Sequence, residues 1–113
     1  MSAARYNLVI DQGSDFAVDF TISEDGTVKN LTGFSARAQM RATKLSSSIA
    51  ATFTCTIATP TSGVVRMSLP HATSTALTSG RFYYDLEIYT DSDAAVTRLL
   101  QGEVDVTQEV TRS

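Results

Sequence analysis

A chain of 113 residues, 42% hydrophobic, with nine basic and twelve acidic side chains and a formal net charge of −3, has the size of one domain, so residues 1–113 are expected to share a single core. The charge is mild and shows no run of one sign, which argues against a nucleic-acid surface built on phosphate contacts. Cys55 is the sole cysteine, so neither an intrachain disulfide nor a thiolate metal cluster can form.

Residues Met1 to Asn7 lack the apolar core of a secretory signal, and nowhere do about eighteen apolar residues run together. No membrane span is expected, and the chain is expected to be soluble as synthesised. Arg5-Tyr6-Asn7-Leu8-Val9-Ile10 reads as a first strand, closed by the turn Asp11-Gln12-Gly13-Ser14. From Asp15 to Ile22, Phe16, Val18, Phe20 and Ile22 alternate with Asp15, Ala17, Asp19 and Thr21, the period of a half-buried strand. Ser23-Glu24-Asp25-Gly26 supplies a tight turn, with Thr27 to Leu31 as its hairpin partner.

After Gly33 the segment from Phe34 to Arg41 places Phe34, Ala36, Ala38 and Met40 on one face and Ser35, Arg37, Gln39 and Arg41 on the other. Its composition suits a helix from Ser35 to Lys44, but apolar residues at every second position favour a strand. Thr43 to Ala50 is Ser-rich and aperiodic, the pattern of a mobile loop. Thr52 to Ile57 alternates again, with Cys55 sharing the face of Phe53 and Ile57 as a small buried hydrophobe. Thr59 to Gly63 turns the chain, and Val64 to Leu69 returns as a hairpin partner with Val65, Met67 and Leu69 inward.

Pro70 to Ser79 is the one helical piece, expected near residues 72–78 with Thr73 or Ser74 as N-cap, Leu77 tucked under the sheet and Gly80 beyond its end. It would cross from one sheet to another. The strongest strand signal is Arg81 to Thr90: Phe82, Tyr84, Leu86 and Ile88 face inward, while Arg81, Tyr83, Asp85, Glu87 and Tyr89 face outward. Beyond the turn Asp91-Ser92-Asp93-Ala94, Val96 to Val106 would pair antiparallel with it, and Gly102 marks a bulge or a close backbone approach. About seven or eight short strands with one short crossover helix argue for an all-β fold, a two-sheet antiparallel immunoglobulin-like β-sandwich, with a small barrel as the alternative.

Chemistry-bearing patterns are sparse. His71 is the single histidine, with no metal or triad spacing around it, and neither a Gly-x-Ser-x-Gly elbow nor a phosphate-binding glycine loop occurs. The acidic pairs Asp11 with Asp15, Glu24 with Asp25 and Asp91 with Asp93 suit turns better than calcium loops. Asp85 and Glu87 read as sheet-surface charge, without the cleft that glycoside hydrolysis needs. No catalytic residue, cofactor, metal or small-molecule substrate is therefore expected, and the chain is expected not to be an enzyme. Arg81, Tyr83 and Tyr89 are the candidate interface, because outward aromatics beside a cation are enriched in protein contacts and in sugar-binding platforms. Open sheet edges offer a second way to associate.

Several stretches occur in a telling order: Val9-Ile10-Asp11-Gln12-Gly13-Ser14-Asp15-Phe16, Asp25-Gly26, Asn30-Leu31-Thr32-Gly33, Gly63-Val64-Val65, Gly80-Arg81-Phe82-Tyr83-Tyr84-Asp85-Leu86 and Leu100-Gln101-Gly102-Glu103-Val104. From about Asn7 to Thr111 the chain resembles the small β-sandwich domain of tailed-bacteriophage tail and baseplate proteins, and is similar to the N-terminal domain of the phage upper baseplate protein. Arg81-Phe82 stands where that pattern, Gly-x-Tyr-x-Tyr-Asp-Leu, would put a tyrosine, and the chain stops where longer relatives continue into fibre or receptor-binding parts. The resemblance brings no catalytic residues. It implies a non-enzymatic structural or adaptor protein of the virion, in tail, baseplate or neck, made in the host cytoplasm, docking to other virion proteins and open to homo-oligomer formation. A carbohydrate-binding module contacting host glycans through Tyr83, Tyr89 and Arg81 is the alternative.

Overall fold

The computed structural model describes residues 4–24, 26–90 and 95–110. The turn expected at Asp91 to Ala94 lies outside the described residues, as does Asp25 of the expected Asp-Gly turn. The strands are β1 (Ala4–Arg5), β2 (Leu8–Asp11), β3 (Phe16–Thr21), β4 (Ser23–Glu24), β5 (Thr27–Val28), β6 (Phe34–Arg41), β7 (Ala51–Thr56), β8 (Val64–Leu69), β9 (Gly80–Thr90) and β10 (Val96–Thr107). A 3-10 turn spans Pro60–Ser62, and a short helix, α1, spans His71–Ala76. The all-β architecture anticipated from the alternation is the one observed, with the helix shifted by a residue or two.

All strands but β4 and β5, which pair only with each other, form one curled mixed sheet in the order β1, β10, β9, β6, β7, β8, β3, with β2 following β1 along the same side of β10. Its hub is β9, paired antiparallel with β10 from Gly80 to Tyr89 and with β6 from Tyr83 to Thr90. The curl passes through β7, which pairs with β6 through Ala51, Thr52 and Phe53 and with β8 through Thr54, Cys55 and Thr56. No break in hydrogen bonding separates two sheets there. The pairing also departs from a purely antiparallel arrangement, because β1 and β2 run parallel to β10.

Inside the curl lies one core. Phe82, Tyr84, Leu86 and Ile88 of β9 are buried against Met40, Phe53, Val65, Met67, Val104 and Ile10 from strands on both sides. Phe53 links the two halves, its ring 6.0 Å from Phe16 and 6.3 Å from Tyr84. The free edges approach through side chains: Tyr6, between β1 and β2, meets Phe20 of β3 edge to face at 5.1 Å. Such aromatic pairs add roughly 0.5–1.5 kcal/mol beyond their area burial.

Local expectations change at the partner of β3, at the first strand and at the cap of α1. The partner of β3 is β8, not Thr27 to Leu31; three alternating apolar residues, Val65, Met67 and Leu69, match Phe16, Val18 and Phe20, whereas the polar 27–31 stretch gives only the two-residue β5 that closes on β4. The first strand is split at Tyr6-Asn7, where the Tyr84 hydroxyl donates to the Tyr6 carbonyl at 2.6 Å and the Glu103 N–H donates to Asn7 Oδ1 at 3.0 Å. The slip in β10 falls at Leu99, not Gly102, since two consecutive residues, Leu99 and Leu100, are both buried and strict alternation cannot hold both. Gly102 is the close approach: a Cβ there would collide with the Tyr6 carbonyl oxygen.

The N-cap of α1 is Pro70, not Thr73 or Ser74. The helix's first N–H, from His71, is met by Asp15 Oδ1 at 2.6 Å, a tertiary cap. Buried Ser74 faces the opposite partner, donating to the Ser14 carbonyl at 2.7 Å and accepting the Gly13 N–H at 3.2 Å. Gln12 completes the clasp, donating to the Leu77 carbonyl at 2.6 Å and accepting the Glu109 N–H at 2.9 Å. The turn Gln12-Gly13-Ser14-Asp15 thus holds the helix, the β2–β3 corner and the segment after β10 together.

Candidate functional site

The outer face of β9 and its neighbours is fixed by register. Because every second residue points outward, pairing places side chains in rows across β6, β9 and β10. One row holds Ser35, Tyr89 and Val96; the next Arg37, Glu87 and Arg98; the next Gln39, Asp85 and Gln101; the last Arg41, Tyr83 and Glu103. Over the middle rows lies a half-open depression of about 330 Å³, walled by Arg5 of β1 and by Lys44 of the loop after β6.

Its electrostatics are specific. Arg37 Nε donates to Glu87 Oε1 at 2.9 Å, and the same guanidinium lies 4.4 Å from the Tyr89 ring centroid. Arg98 Nε stands 3.3 Å from Asp85 Oδ2. Arg41 meets uncharged partners, donating to Gln39 Oε1 at 2.9 Å and to the Ser46 carbonyl at 3.0 Å. The Lys44 ammonium stands 5.8 Å from the Tyr83 ring centroid. Burial, helped by Glu87, pushes the Asp85 carboxyl above its ordinary range, while Arg98, Arg41 and Arg37 pull it back. Five of the chain's nine basic side chains line this depression against two carboxylates.

The three expected interface residues are not brought to one point. Tyr83 forms part of the depression's wall. Tyr89 lies beyond its end, under Arg37. Arg81 is drawn away, 3.2 Å from Asp105 Oδ1 and 3.6 Å from Glu103 Oε2. Both tyrosines are half-buried, between the exposed and covered alternatives. Asp85 and Glu87, read from sequence as plain surface charge, instead form the floor of the depression.

Arg37, Arg41, Lys44 and Arg98 escaped the sequence reading as site residues. The outward positions of Arg37 and Arg41 followed from alternation, but their placement opposite Glu87 and Tyr83 needs the β6–β9 register. Lys44 was hidden in the Ser-rich loop, where neighbouring Leu45 is 97% exposed.

Elsewhere, His71 Nδ1 and Asp15 Oδ1 form an exposed pair 2.9 Å apart. Ser74, three residues on, directs its hydroxyl to backbone groups, so this trio is a structural clasp and not a nucleophile with its base. Cys55 is half-buried, its thiol pushed up to about 11 by burial, which keeps it protonated and unreactive at neutral pH. Among the described residues no three His, Cys, Asp or Glu side chains gather as a metal site, and no helix is long and apolar enough to cross a membrane.

No protein-family model matches the chain, and no curated protein sequence does. Among solved structures, one similar chain is a family 123 glycoside hydrolase from Clostridium perfringens, described for its hydrolysis of glycolipid glycans. That alignment has 10% identity and a TM-score of 0.40, and covers 99% of this chain but 24% of the hydrolase. This chain therefore spans about a quarter of the enzyme's length.

Proposed function

We propose that this chain is a non-catalytic docking module, a structural or adaptor subunit of a tailed-phage virion that joins another virion protein through the outer face of β6, β9 and β10. The observation that carries the docking reading is the state of β9: its inner residues are sealed in the core, while Tyr83 and Tyr89 stand on the outer face beside Lys44 and Arg37. Large half-covered aromatics flanked by cations are the composition of contact surfaces. Leu45, next to Lys44 in the chain, is exposed. The virion assignment rests on the ordered resemblance of turns and strands to tail and baseplate domains.

The carboxylates fit this reading better than catalysis. Glu87 is bonded to Arg37 and Asp85 lies beside Arg98, an arrangement suited to holding charge in place. The test is the Tyr83→Ser/Tyr89→Ser double variant. The isolated protein should stay folded, with a cooperative thermal transition, because neither ring belongs to the core, while its incorporation into virions, measured by mass spectrometry of purified particles, should fall sharply. Absence of the wild-type polypeptide from virions, or full incorporation of the variant, would overturn the reading.

A second reading is favoured by one feature: Tyr83 and the hydrogen-bonding groups of Gln39, Asp85 and Gln101 converge on one depression, as a sugar ring requires. A glycan array should then give a signal that Asp85→Asn removes; silence at high protein concentration dismisses it.

A further inference from the structure

The depression has a charge pattern along its length, and that pattern selects an occupant. Arg37 and Arg98 flank Glu87 in one row, Arg37 bonded to Glu87 and Arg98 leaning toward Asp85 of the next row. Arg41 and Lys44 stand beside the Tyr83 ring two rows further on, with the Glu103 carboxylate on the β10 side of that row, drawn toward Arg81 at 3.6 Å. Between them Asp85 sits in a row of amides. Adjacent rows are two residues apart along a strand, about 6.8 Å, so the cationic rows are about 14 Å apart with a negative centre between them.

We propose that the groove along β9 receives an extended, acidic segment of a partner protein, with carboxylates at positions i and i+4 and an uncharged hydrogen-bonding residue between them. This rests on the docking reading above and names the partner's chemistry. An extended chain carries side chains at i, i+2 and i+4 on one face at the same spacing. The outer two carboxylates fall over the cationic rows, where guanidiniums form directed hydrogen bonds to carboxylates. The middle side chain falls over Asp85, which repels an anion and accepts a hydrogen bond. A polymer charged at every unit, such as nucleic acid, would force an anion onto Asp85. Complementarity supplies the direction of approach as well, because the positive groove stands on a chain with a formal net charge of −3 and steers acidic partners to this face.

The test uses fluorescein-labelled heptapeptides in polarisation titrations against the full chain. One carries glutamates at i and i+4 with serines between, a second carries glutamates at i and i+2, and a third has glutamines instead. The first should bind about tenfold tighter than the neutral peptide and several-fold tighter than the i, i+2 peptide, and should weaken as salt rises from about 0.05 to 0.3 M. Arg98→Gln and Arg41→Gln should each weaken it about fivefold or more, while Arg66→Gln on β8, away from the groove, should leave it unchanged. Circular dichroism on the variants separates lost binding from lost fold.

Equal affinity for the acidic and neutral peptides, or indifference to Arg98→Gln and Arg41→Gln in folded protein, overturns the proposal. A sulfated hexasaccharide that binds while the acidic peptide does not overturns it in favour of an anionic glycan. If acidic peptides fail while the double tyrosine variant still blocks incorporation into virions, docking through this face stands and the acidic-partner inference falls. If the peptide binds as stated while incorporation ignores the tyrosines, the groove's chemistry stands and the virion reading falls.

Discussion

Asp15 shows how much one side chain in a turn can organise. Its carboxylate accepts the His71 N–H and meets the His71 ring, and the backbone hydrogen bond, more than the ring contacts, holds it below the usual carboxylate range. A folded value below the unfolded one means that the stabilisation is present above about pH 4 and is lost as pH falls through the folded value. Asp15→Ala should therefore lower the thermal midpoint at neutral pH and flatten its acid-side decline, measured by melts between about pH 2 and 6. The role was not legible in the sequence. Asp15 and His71 are far apart along the chain, and the local rules pointed to Thr73 or Ser74 as caps because a tertiary cap leaves no local signature.

At the scale of elements, what could be read was what a strand states about itself. Phe34 to Arg41, Val64 to Leu69 and Arg81 to Thr90 were legible because period-two alternation is local, and it overrode the helical composition of β6. Partnership was legible for β7 with β8 and for β9 with β10, but not for β3, since the choice of β8 over residues 27–31 as its mate depends on matching apolar residues across the sheet. Glycine carried half of a message. Gly102 signalled a bulge or a close approach, and the contact with Tyr6 shows the second, while the slip fell on the two buried leucines before it. Gly102→Ala would press a methyl group against the Tyr6 carbonyl, which is held in place by the Tyr84 hydroxyl and by the Tyr6 N–H bond to the Gln101 carbonyl. Such overpacking should cost about 1–3 kcal/mol in urea denaturation, chiefly by displacing β1 and β2 from β10.

For the whole molecule, the curl of the sheet turns one strand into two surfaces. The inner side of β9 joins the core, and the same register that buries Leu86 and Ile88 lines up cations, carboxylates and tyrosines on the outside. Outward Tyr83 and Tyr89 were visible as candidates from alternation alone; the groove around Tyr83 was not, because its walls come from β1, β6, β10 and a loop. If the chain docks as proposed, this outer face is covered in the assembled particle. Hydroxyl-radical footprinting of the free protein and of purified virions tests it directly, with half-exposed Tyr6 as internal reference. Labelling of Tyr83 and Tyr89 should drop in the particle relative to Tyr6, whereas equal labelling of both tyrosines in the two states would contradict docking through this face.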